Sequence, residues 1–146
     1  MFRLLCATIL LSIAVLAPRS PAAAQTVAET DASLDMLYGE HAPYRAFFDK
    51  LKAAVAADDR ATVAGLVSYP FATRIGGKKI TLRDPGHFIA SYDQIVTAKV
   101  KQALAKQDYA SLFANADGLM VGDGEIWFSG IGGGKPTKVL ITAINR

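Results

Sequence analysis

The chain has 146 residues, of which 51% are apolar and 20% charged, with a formal net charge of +3. Two of its 16 basic residues, Arg3 and Arg19, and none of its 13 acids fall in the first 24 positions, so the remainder is nearly neutral and a basic nucleic-acid-binding surface is excluded as its main theme. The length suits one domain with a single core, and a lone cysteine, Cys6, excludes a disulfide scaffold and a cysteine metal site.

Residues 1–24 have the layout of a secretory signal peptide: a basic start, an almost unbroken apolar run from Leu4 to Ala17, and Ala22-Ala23-Ala24 ahead of Gln25. That run of 14 is shorter than the roughly 20 residues a spanning helix needs, so no membrane association is expected after its removal. Cys6 lies too early to be a lipid-attachment cysteine at the cleavage site, and a periplasmic or secreted mature protein of 122 residues is expected.

Residues 25–40 show Val27, Leu34, Met36, Leu37 and Tyr38 without a sustained period and read as an N-terminal tail or docking arm. The domain proper is expected over residues 41–146. Tyr44, Phe47, Phe48, Leu51 and Val55 fall at helical spacing behind Pro43, and Asp58-Asp59 can cap a second helix carrying Val63, Leu66 and Val67. Phe71–Ile75, Gly76-Gly77 and Lys79–Leu82 predict a hairpin. Asp84-Pro85 opens a third helix through Phe88, Ile89, Tyr92, Ile95 and Val96, and Val100, Ala103 and Leu104 predict a fourth or a bent continuation.

The last third predicts a three-strand meander from Leu119–Val121, Glu125–Ile131 and Thr137–Asn145. Ile126 and Phe128 share one face of its middle strand, with Glu125, Trp127 and Ser129 on the other. In its last strand Val139, Ile141 and Ala143 share a face, with Leu140, Thr142 and Ile144 opposite. Two partly apolar faces predict helices on one side and a pocket or partner on the other, with a homodimer expected through the outer face.

This order of elements, two helices joined at an acidic corner, a hairpin, a helix and a meander, resembles the nuclear transport factor 2-like superfamily, which includes ketosteroid isomerases, scytalone dehydratase and polyketide cyclases. The likeness covers about residues 42–145. It is strongest in the opening from Phe48 to Val67 and extends to Val67-Ser68-Tyr69-Pro70, Tyr92-Asp93-Gln94-Ile95 and the run Gly122–Phe128, where it is similar to small secreted bacterial members without an assigned activity. It implies an α+β fold, a cone of helices packed on a curved, mostly antiparallel sheet. The isomerase branch needs a carboxylate base and a tyrosine. Overlaying its pattern puts Leu51 and Ile75 at those two places, or Lys50 and Arg74 after a one-residue slip, and none of these can do the proton work.

Other chemistry finds little support in the residues. His41 and His87 lie in different elements without metal-ligand spacing, and no metal or cofactor is expected. The stretch around Asn115 and Asp117 has Phe113 and Gly124 at the end positions of a calcium loop. Ser129 lacks the glycine of a nucleophile elbow, and Gly134-Lys135 is followed by Pro136, which breaks a phosphate loop. The candidate ligand-binding residues are Tyr69, Arg74, Tyr92, Asp93, Glu125 and Trp127, aromatics with polar tips of the kind that line a small apolar-ligand site. The competing reading has Tyr92 and Trp127 filling the core, with Asp93 and Glu125 solvated at its edge. The expected function is non-catalytic binding of a small apolar ligand or a protein partner; the alternative is a small pocket enzyme using Asp93 or Glu125 as acid/base, which requires a buried carboxylate of raised pKa.

Overall fold

The computed structural model describes residues 24–146. Apart from Ala24, the expected signal peptide lies outside the described residues.

The first described element gives form to residues 25–40, read as a tail or docking arm. Most of the segment is a helix, α1 (Val27–Tyr38), opened by a capping box in which the Thr26 hydroxyl accepts from the Glu29 N–H and the Glu29 carboxylate accepts from the Thr26 N–H. Only Thr30 and Leu34, one turn apart, are buried on it, too few to produce an apolar period. The helix is docked by polar bonds: Thr30 Oγ1 donates to the Ala110 carbonyl at 2.9 Å, Tyr109 OH to Asp31 at 2.7 Å, and Tyr38 OH to the Asn115 carbonyl at 2.6 Å.

The next helix, α2 (Ala42–Ala56), has Pro43 in its first turn and buries Tyr44, Phe47, Phe48, Leu51 and Val55, the stripe its spacing predicts. At the corner Asp58 takes a left-handed φ of 52°, and Asp59 accepts from the Thr62 N–H at 3.0 Å to cap α3 (Arg60–Gly65). Strands β1 (Phe71–Ile75) and β2 (Lys78–Leu82) pair antiparallel across Gly76-Gly77, whose φ values of 56° and 80° have the signs a two-residue type I′ turn requires.

Asp84 caps α4 (Pro85–Ala90), as its place before Pro85 predicts. The expected third helix breaks at Ser91, giving a one-turn α5 (Tyr92–Ile95), and the non-helical Val96-Thr97 separates it from α6 (Ala98–Lys106). A 3-10 turn at Tyr109–Ser111 leads into the meander, which has four strands rather than three: β3 (Phe113–Asn115), β4 (Gly118–Val121), β5 (Ile126–Ile131) and β6 (Lys138–Ile144), antiparallel and in that order. The three-residue β3 is too short to show an alternating pattern.

Leu119, Val121, Ile126, Phe128, Val139 and Ile141 form the buried face of this sheet. The Phe47 ring of α2 lies 4.9 Å from that of Phe128, and Phe71, Phe88 and Tyr92 continue the core edge-to-face at about 6 Å. A register shift at Trp127/Phe128 inserts Thr142 as an extra residue in β6. It reverses the expected facing of the strand's end: Ile144 pairs with Ile126 and is buried, while Ala143 sits opposite Trp127. After α3, Val67 bridges Ile141 in parallel, with the Ser68 N–H donating to the Ile141 carbonyl and the Ile141 N–H to that of Leu66.

Candidate functional site

Glu125 closes the turn Gly122-Asp123-Gly124, immediately before β5, and is only 6% exposed. Its Oε1 lies 3.1 Å from Lys99 Nζ of α6, and its Oε2 accepts the Asp123 N–H at 2.7 Å. Burial opposes its ionisation, but the Lys99 ammonium and the N–H groups of Asp123 and Glu125 together outweigh that and hold its pKa below the ordinary value. Glu125 therefore lacks the raised pKa that the acid/base alternative requires of a buried carboxylate: it is already compensated by a cation and main-chain donors. Gly122 is part of this arrangement, since at its φ of 62° any Cβ would strike the Glu125 carboxylate. Two shallow grooves flank the Lys99–Glu125 pair, one of about 350 Å³ reaching Gln102, Lys106 and Ser111 and one of about 220 Å³ reaching Met120, Trp127 and Asn145.

The six candidate residues do not converge on one pocket. Tyr92 is fully enclosed, its ring beneath Arg60 at 4.8 Å and near Lys101 at 5.5 Å, and its hydroxyl has no hydrogen-bond partner. Burial pushes its pKa up. Next to it in the chain, Asp93 is on the surface, gripped by Arg60 through two bonds of 2.9 and 3.0 Å. Tyr69 donates its hydroxyl to the Ala64 carbonyl at 2.9 Å, and burial pushes its pKa to about 12. Arg74 lies on β1 in a separate groove. Glu125 and Trp127 alone among the six line a common groove. Tyr92 thus fills the core, as the competing reading had it, whereas Trp127 does not and Glu125 is not solvated.

Trp127 points to the outer face of the sheet and belongs to a line of side chains that sequence reading missed. Phe113 pairs with Met120, Met120 with Trp127, and Trp127 with Ala143, so one uncharged row crosses all four strands. Phe113 is 51% exposed and meets Trp127 edge-on at 6.5 Å; Met120, Trp127 and Ala143 are half-buried. Phe113 and Met120 carry no local signal for this role, because cross-strand register is a property of the folded sheet. Gly118 of β4 allows its strand to approach β5, where a Cβ would come within 2.6 Å of the Phe128 carbonyl.

No family model, curated protein or solved structure matches the chain.

His41 Nδ1 is 2.9 Å from Asp35 in the last turn of α1, and His87 Nδ1 is 2.7 Å from Asp84, the cap of α4, so each ring is satisfied by a nearby carboxylate. Among the described residues no three His, Cys, Asp or Glu side chains gather into a potential metal site, and no helix is long and apolar enough to cross a membrane. Leu51 is wholly buried in the core and Ile75 ends β1 at the turn.

Proposed function

We propose that the chain is an exported, non-catalytic binding domain that uses the open outer face of its four-stranded sheet to dock protein, and that the first occupant of this face is a second copy of the chain. The observation that carries this reading is the uncharged row Phe113–Met120–Trp127–Ala143, which runs across the sheet on the side opposite its helices. A row without charges is compatible with its own image across a two-fold axis, and aromatic and methionine side chains are those enriched at the centres of protein interfaces. From α2 onward, the order helix, helix, hairpin, helices and meander supports the nuclear transport factor 2-like reading of the fold.

A small apolar ligand held inside the domain is the weaker reading, because Phe48, Phe71, Phe88, Tyr92 and Phe128 occupy the interior themselves. The acid/base alternative is weaker still. Asp93 is outside the core and bound to Arg60, and Glu125 is held ionised by Lys99, whereas an efficient proton shuttle needs a pKa close to the working pH.

Sedimentation at increasing concentration tests the dimer. Wild type is expected to dimerise, and Met120→Glu to remain monomeric with an unfolding midpoint close to that of wild type at dilute, monomeric concentration, since Met120 is only half-buried. A wild-type chain that stays monomeric at millimolar concentration would remove the second copy from the proposal.

A further inference from the structure

A third groove, of about 610 Å³, lies between β1 and the end of β6, where Ala143 ends the uncharged row. Its lining contains three cations, Arg74, Lys79 and Arg146, and no acidic side chain. Among the described residues none of the three makes an ion pair. Arg74 and Lys79 are directly opposed in the hairpin register, a placement of like charges that destabilises an antiparallel pair. The hairpin segment 71–83 carries four cations and no acid, so nothing within it relieves that repulsion. Both guanidinium groups are held by carbonyls: Arg74 donates to Gly77 O at 3.3 Å, and Arg146 to Gln94 O at 3.1 Å and to Arg74 O. Hydrogen bonds to neutral carbonyls orient these cations but leave their charge uncompensated. Beside them, Ala72, Ala143 and Ile144 supply an apolar wall.

A cross-strand repulsion without internal compensation is the kind of local conflict that marks a binding site. We infer that this groove binds a small organic acid, its anionic head among Arg74, Lys79 and Arg146 and its apolar body against Ala72, Ala143 and Ile144. The groove falls in the size range of small-molecule sites, and charge-assisted bonds from guanidinium to carboxylate are strong enough to select an anion over its neutral analogue. This goes beyond the docking role of the sheet face; the two share only Ala143, at the end of the uncharged row, and the three cations belong to this groove alone, so the charge substitutions test it separately.

Octanoate, octan-1-ol and inorganic phosphate, titrated separately into the wild-type chain and followed by amide shifts in NMR, test the inference. Octanoate is expected to move the amides of residues 72–74 and 143–145, with octan-1-ol and phosphate each at least about tenfold weaker, the equivalent of losing one charge-assisted bond or the apolar contact. Lys79→Glu is expected to lose the octanoate response while its unfolding midpoint holds or rises, because the new carboxylate would face Arg74 with opposite charge; that separates lost binding from lost folding. Arg146→Gln should weaken binding, and the exposed control Lys50→Gln should not. Equal binding of octanoate and octan-1-ol, equal binding of phosphate, an unaffected Lys79→Glu, or no response to octanoate would each overturn the inference.

Discussion

Tyr92 ends in a hydroxyl that the core encloses without a hydrogen-bond partner, and leaving such a group unsatisfied costs roughly 1–3 kcal/mol. The ring holds its position by packing against Phe88 and beneath Arg60, contacts that a phenylalanine keeps. Tyr92→Phe is therefore expected to be neutral or to stabilise by about 1 kcal/mol in urea unfolding; a clear destabilisation would mean that the hydroxyl is bonded in solution. Glu125 behaves in the opposite way. Its pKa is lowered on folding, so its contribution is complete above the ordinary carboxylate range and is lost as pH falls through the lowered native value. In Glu125→Gln, stability at neutral pH is expected to drop and its acid dependence to flatten, which unfolding midpoints between about pH 7 and pH 3 measure.

Among the elements, α1 shows how a segment with little apolar surface becomes part of a domain. Leu34 supplies its wholly buried apolar contact, and Thr30, Asp31 and Tyr38 fasten it to the turn before β3 and to β3 itself. Leu34→Ala is expected to cost about 2–5 kcal/mol, within the range for a leucine removed from a closed core, whereas Thr26→Ala, which removes only the cap, should cost about 1 kcal/mol. Similar small losses for both, read by chemical denaturation, would show α1 to be loosely attached. The adjacent residues Trp127 and Phe128 of β5 provide the corresponding contrast across the sheet. Phe128→Ala is expected to cost about 3–5 kcal/mol, and Trp127→Ala only about 1 kcal/mol in the monomer, because one faces the helices and the other the open side.

For the whole molecule, the open sheet face ties stability to concentration. If two copies bury the Phe113–Met120–Trp127 rows against each other, the unfolding midpoint rises with protein concentration by mass action. Calorimetry over a hundredfold concentration range is expected to show that rise in wild type and its loss in Met120→Glu. A midpoint independent of concentration in both would leave the face without a self-partner.

Local chemistry was enough to read α2, the Asp59 and Asp84 caps, the Gly76-Gly77 hairpin and three of the four meander strands, because capping acids, paired glycines and apolar periods act over a few residues. Of the candidate site, chain order alone placed Glu125 and Trp127 close together, just before and at the start of β5. Tertiary structure decided the rest. The fold of α1 against Ala110 and Asn115, the inward turn of Ile144 at the bulge, and the row from Phe113 to Trp127 all depend on partners distant in sequence. The pairing of Asp93 with Arg60 and of Glu125 with Lys99 is likewise made across elements, and it determines whether each carboxylate lies free or bound. A sequence shows which side chains carry charge and at what period they repeat; cross-strand register and packing determine which charges meet, and hence which of those groups are available to bind.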